Sequence, residues 1–144
     1  MKYLFPNPVN QLSLEERKAH AELMVIIASI DGELVQEELA IIESLMGISM
    51  LHPEMRVDIR NMLSHPSNFE EVVGSLSKQG LKIALRDGAL VAAVDGNYDK
   101  KELRILKSLA KLADVDNKTL SELFEWVEET WIQYKNSNNI LSIS

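Results

Sequence analysis

Four carboxylates stand where their chemistry matters more than their packing. Asp31 and Glu38 lie seven residues apart, beginning at an Asp31-Gly32 pair, and Asp95 and Glu102 repeat the arrangement 64 residues later. If the chain reverses at each Asp-Gly, each Asp and its Glu can converge on one divalent cation. Hard oxygen ligands of this kind suit calcium or magnesium rather than zinc. Two carboxylates make a wet, weak site, so Asp99 and Asn97 are candidate further ligands at the second turn. Plainer readings compete. An Asp before Gly can bond its own backbone in a tight turn. A Glu three residues into a helix can cap the amide that precedes the helix. Asp99-x-x-Glu102 fits that capping pattern, whereas Val35-x-x-Glu38 does not, because valine offers no side-chain oxygen.

The repetition extends beyond the acids. Between positions 28 and 45 the chain matches itself at Ala28/Ala92, Asp31/Asp95, Gly32/Gly96, Glu38/Glu102, Leu39/Leu103, Ile41/Ile105, Ser44/Ser108 and Leu45/Leu109. Apolar identities report only a shared core face. Acidic ones have no packing reason to recur, so they point to something each unit requires.

Other chemistries fit poorly. Asp95, Asn97 and Asp99 copy the first three ligand positions of an EF-hand loop, but Lys100 stands where its glycine belongs and Leu106 where its glutamate belongs. His20, His52 and His65 show no metal-ligand spacing and read as caps or surface residues. There is no G-x-S-x-G elbow and no phosphate-cradling glycine loop. The chain has no cysteine, which excludes disulfides and thiolate chemistry. Its net charge of −7 opposes generic binding to nucleic-acid phosphates or anionic lipid. The apolar runs are too short for a membrane span, and Pro6 interrupts any signal-like segment. Cytoplasm is the default compartment.

The elements that must position these residues are helical throughout. Ser13 with Glu16 opens a helix that Asp31-Gly32 stops after about residue 30. A second helix is predicted over 36–46, ended by Gly47. A third begins at Pro53 and runs to about 63, followed by a loop over 64–68. Asn68 with Glu71 opens a fourth, ending near Gly80. A fifth spans 81–94. Asp99 starts a sixth, with Leu103, Leu106, Leu109, Ala110 and Ala113 on one stripe. Asp116 or Asn117 caps a seventh to about Tyr134, and residues 135–144 read as a polar tail. The expectation is a single all-α domain over 1–144 with about seven helices. Its two helix-turn-helix units, about 14–47 and 81–114, are read as an internal duplication. Trp126 and Trp131 sit on the acidic last helix, read as partly core, with a partner surface as the sharper alternative.

Two hairpins carrying A-x-x-D-G-x-x-x-x-x-E-L, in an acidic chain of 144 residues without cysteine, resemble the TerB-like tellurite-resistance family. The likeness covers roughly residues 14–129. It implies a small all-helical bacterial cytoplasmic protein associated with tellurite and other stresses. It further implies metal binding through the acidic pairs Asp31 with Glu38 and Asp95 with Glu102, protein partners at the inner face of the membrane, and no catalytic activity. Val35 departs from the polar residue usual at that helix start. The resulting expectation is a non-enzymatic stress-response interaction domain, possible cofactor a divalent cation, with protein partners and a homodimer as one option. The alternatives are a metal-independent helical scaffold and a small metal-assisted hydrolase.

Overall fold

Local capping sets most of the helix starts. In the computed structural model, which describes residues 7–30, 32, 34–94 and 98–143, seven α-helices and one 3-10 turn account for the regular structure, with no strand among the described residues. The 3-10 turn covers Pro8–Gln11. The helices are α1 (Leu14–Ser29), α2 (Gln36–Ile48), α3 (Pro53–Asn61), α4 (Phe69–Gly74), α5 (Lys78–Ala92), α6 (Lys100–Leu112) and α7 (Asn117–Ile140). Side-chain oxygens of Ser13, Asn68, Ser77, Asp99 and Asp116 accept the exposed first-turn amides of α1, α4, α5, α6 and α7.

Three boundaries differ from those expected, each for a physical reason. The helix opened by Asn68 ends at Gly74, and α5 starts afresh at Lys78, because the Ser77 hydroxyl accepts the Gly80 N–H at 3.1 Å. Gly80 is therefore a first-turn residue, not a stop. Gly47 lies inside α2, whose real stop is Met50 in the left-handed region (φ 56), with Leu51 N–H donating to the Met46 carbonyl. α7 continues through the expected tail to Ile140, every residue from 133 to 140 being exposed.

α1 and α5 form the centre. Residues 23 to 28 of α1 are buried on all sides, as a helix apolar all round must be. α5 packs against α1 more extensively than any other two elements pack. The Glu16 carboxylate, at the start of α1, accepts the Ser77 N–H at the start of α5 (2.7 Å), and Ile27, late in α1, meets Gly88, late in α5. The two helices therefore run in the same sense. α2, α3 and α4 pack on α1, while α6 and α7 pack on α5. One contiguous apolar cluster draws on all seven helices, and Val9, Leu12 and Ile83 make a small second one.

Close approach at the centre leaves no room beside Gly88. A Cβ there would stand 2.6 Å from Ile27 Cδ1 and 3.3 Å from Leu106 Cδ2. Ile27 is fully buried, so a shift of its methyl would press on the surrounding core. Gly47, also helical, has open space around its Cβ direction. Gly47→Ala should therefore stabilise the fold by about 0.5–1 kcal/mol. Gly88→Ala should lower stability by about 1–3 kcal/mol, overpacking outweighing the helix-propensity gain. Urea midpoints check both; the same sign for the two variants would contradict this packing.

Candidate functional site

Each acidic hairpin places its glutamate at the third position of its second helix. Glu38 and Glu102 are both buried, at 5% and 4% exposure, so neither points to bulk solvent. Glu38 Oε1 accepts the N–H of Val35 at 3.3 Å, and Glu102 Oε1 accepts that of Asp99 at 3.2 Å. This corrects the expectation that Val35 removes the capping role of Glu38. Valine lacks the side-chain half of the capping box, but the glutamate supplies the other half to the backbone amide, which every non-proline residue carries. Asp99 is exposed, and its Oδ2 accepts the Lys101 N–H at 2.8 Å. Asp31, Asp95 and Asn97, together with Glu33 and Gly96, lie outside the described residues. Among the described residues no three His, Asp or Glu side chains converge as a metal cluster.

The two hairpins also end alike. Asp114 (φ 58) follows α6 as Met50 follows α2, and Val115 N–H donates to the Ala110 carbonyl at 2.8 Å as Leu51 N–H does to Met46. In each hairpin a basic side chain from the first turn of the first helix reaches the last carbonyls of the second. Arg17 donates to the Ser49 carbonyl and Lys78 to that of Leu112, at 2.8 and 2.7 Å. Cations there complement the negative end of the helix dipole.

A buried pair outside these hairpin turns went unrecognised in the sequence. His20 was expected at the surface or as a cap; it is 1% exposed, with Nε2 at 2.8 Å from Asp87 Oδ2. An ionised carboxylate only accepts, so Nε2 donates. Asp87 is equally buried, and its Oδ1 accepts from Arg86 Nε at 2.8 Å, while Arg86 also donates to the Asn7 side chain. Burial pushes the Asp87 carboxyl up. The hydrogen bond and charge of His20, and then those of Arg86, outweigh it and hold the group below its ordinary value of 3.8. The available signal was a lone Asp inside the apolar run of α5. A His–Asp pair can orient an imidazole as a base. Here His20 Nδ1 is buried and meets no hydrogen-bonding partner among the described residues. The arrangement ties α1 to α5 and presents no reacting group.

α7 contributes Trp131, whose indole N–H donates to the Leu90 carbonyl at 3.1 Å, while Trp126 is 44% exposed. The Trp131 bond fits the expectation of partial core packing. No helix among the described residues is long and apolar enough to cross a membrane. The chain matches no family model, and no curated protein and no solved structure gives a significant match.

Removing His20 leaves Asp87 Oδ2 buried without its donor, although Arg86 still serves Oδ1. His20→Leu should cost about 1–3 kcal/mol in urea unfolding. Because the folded-state value of Asp87 is depressed, its contribution is complete above 3.8 and is lost as pH falls below that toward the folded value. Asp87→Asn should therefore flatten the acid limb of the stability–pH curve. An unchanged acid limb would show that the carboxylate carries no linked proton.

Proposed function

We propose that this chain is a non-catalytic interaction domain of the TerB-like kind, serving bacterial stress resistance. Its two acidic hairpins bind divalent cations, calcium or magnesium, through Asp31 with Glu38 and Asp95 with Glu102. Cation binding then conditions the surface offered to a protein partner in the cytoplasm. The observation that carries this reading is a buried glutamate at the same register of both hairpins, six residues after the glycine of each Asp-Gly pair. Burying a carboxylate is costly, and a cation beside it offsets the cost. The recurrence of the same hydrogen bonds at both ends of α2 and α6, 64 residues apart, supports descent of the hairpins from one duplicated unit.

A second reading has its own observation. The bonds from the Val35 and Asp99 amides to Glu38 and Glu102 give both glutamates a purely structural task. On that reading the chain is a metal-independent scaffold. Calorimetric titration with calcium, magnesium and manganese separates the two. Saturable heat that disappears in an Asp95→Asn, Glu102→Gln double variant supports cation binding. No heat at millimolar metal leaves the scaffold. Glutamine keeps the oxygen that accepts the Asp99 amide, so the variant should fold.

The hairpins should also differ. The second offers Asp95, Asn97 and Asp99 beside Glu102, whereas the first has Val35 in place of Asp99. Calcium commonly takes about six to eight oxygen ligands, so the richer turn should fill first. Lys100 and Lys101 oppose this, but exposed charges are screened by salt. Backbone-amide shifts in a calcium titration report the order: saturation around Glu38 before saturation around Glu102 reverses the ranking.

A further inference from the structure

Beside the second hairpin, a groove of 460 Å³ opens between the end of α5, the residue preceding Asp99 and one face of α7. Phe124, Glu128, Trp131 and Lys135 follow one another along that face at helical spacing, with Glu125 adjacent, and Tyr98, packed against Phe124, also lines the groove. The aromatic walls are held in place. Tyr98 and Phe124 stand with ring centroids 4.9 Å apart at 44°, and the Trp131 indole is tied to the Leu90 carbonyl. Both carboxylates at the rim, Glu125 and Glu128, are exposed, and neither has a cationic partner among the described residues.

We propose that this groove binds a lysine-bearing segment of a protein partner, with the ammonium group over the Trp131 and Tyr98 rings and between the Glu125 and Glu128 carboxylates. Ring faces carry negative charge density and attract a cation, tryptophan most strongly. Carboxylates at the rim add to the same field. At the Tyr98 phenol, burial first, then the charges of Glu128 and Glu102, push the group up to about 12. The phenol therefore stays a neutral donor, and its buried oxygen has no hydrogen-bond partner among the described residues. Lys135 is the one opposing charge along the face, and it sits at the far end of the stripe on an exposed side chain. The occupant is a chain segment rather than a free amine because the groove runs along about three turns of α7, far beyond one ammonium group. Exposed Ile132 continues it with apolar surface suited to the residues flanking the lysine. This inference is independent of cation binding at the acidic turns.

The test uses the full chain carrying Trp126→Phe, which leaves Trp131 as the sole tryptophan, with its emission and its indole N–H cross-peak as readouts. The probes are a capped tetralysine peptide, a capped tetraglutamate peptide and tetramethylammonium chloride. A saturable response to tetralysine, weakened by about tenfold or more in Glu125→Gln, Glu128→Gln, is the expected result. Those two side chains are exposed, and an unchanged circular-dichroism spectrum confirms that the double variant is folded. Three results overturn the proposal: no response at millimolar tetralysine, an equal response to tetraglutamate, or an affinity unchanged in the double variant. Tetramethylammonium binding as tightly as the peptide also overturns it, assigning the groove to a free organic amine.

Discussion

The contact between α1 and α5 is the constraint from which the remaining arrangement follows. α1 is buried on all sides over residues 23 to 28, and α5 keeps a narrow polar edge of Lys78, Lys82 and Arg86, so each must be enclosed along most of its surface. Enclosing both at once needs elements on every remaining side, which α2, α3, α4, α6 and α7 supply. The contact is made specific by three unlike features. Gly88 leaves room for the Ile27 side chain, His20 with Asp87 places one polar pair at one register, and Glu16 fastens the two starting turns. Buried polar pairs contribute little net stability compared with apolar packing, but a misplaced one is expensive. The pair therefore selects against sliding of one helix along the other more than it adds to stability.

Helix starts were legible because capping is local. Ser13, Asn68, Asp99 and Asp116 each accept amides two or three residues ahead, and their types announce it. The all-α class followed from the same periodic stripes that now line the core. Helix ends were less legible. Gly47 looked like a stop, but the αL position falls on Met50, where buried Leu51 returns toward the core. Gly80 looked like a stop as well. Its lack of a side chain instead answers to Glu16, whose carboxylate oxygen lies 2.8 Å from where a Cβ would stand. The meeting of Gly80 with Glu16 and the burial of Leu51 are tertiary facts that a window of neighbouring residues does not contain, although Ser77, which caps Gly80, lies only three positions away. The same holds for His20, whose burial is made tolerable by a carboxylate 67 residues away.

At the candidate site, the recurrence of Glu38 and Glu102 was visible in the chain, but their burial was not. Their capping role was judged from the residue at the N-cap, although the bond that forms uses a backbone amide present whatever that residue is. Charge was legible only as an average. The net −7 hides a division in which Lys100, Arg104, Lys107 and Lys111 line the exposed side of α6 while Glu122, Glu125, Glu128 and Glu129 lie along α7. Which sign a partner meets depends on which of these two helices it approaches.

The carboxylate of Glu16 has a consequence for how the chain can be divided. It joins the opening turns of two helices that are 61 residues apart in sequence. Cut in the loop over 64–68, the chain would yield two pieces, each exposing one side of a helix that is apolar nearly all round. Neither piece could hide that surface except against the other. The intact molecule is in this sense a complex of two halves, and the residues between them act as a tether. A tether converts association into an intramolecular step, at an effective concentration on the order of millimolar for a short flexible link. Changes at exposed residues 64–66 would then act on stability mainly through chain entropy, whereas Asn68, which caps α4, and Ser67, which bonds Met62 Sδ, carry contacts of their own.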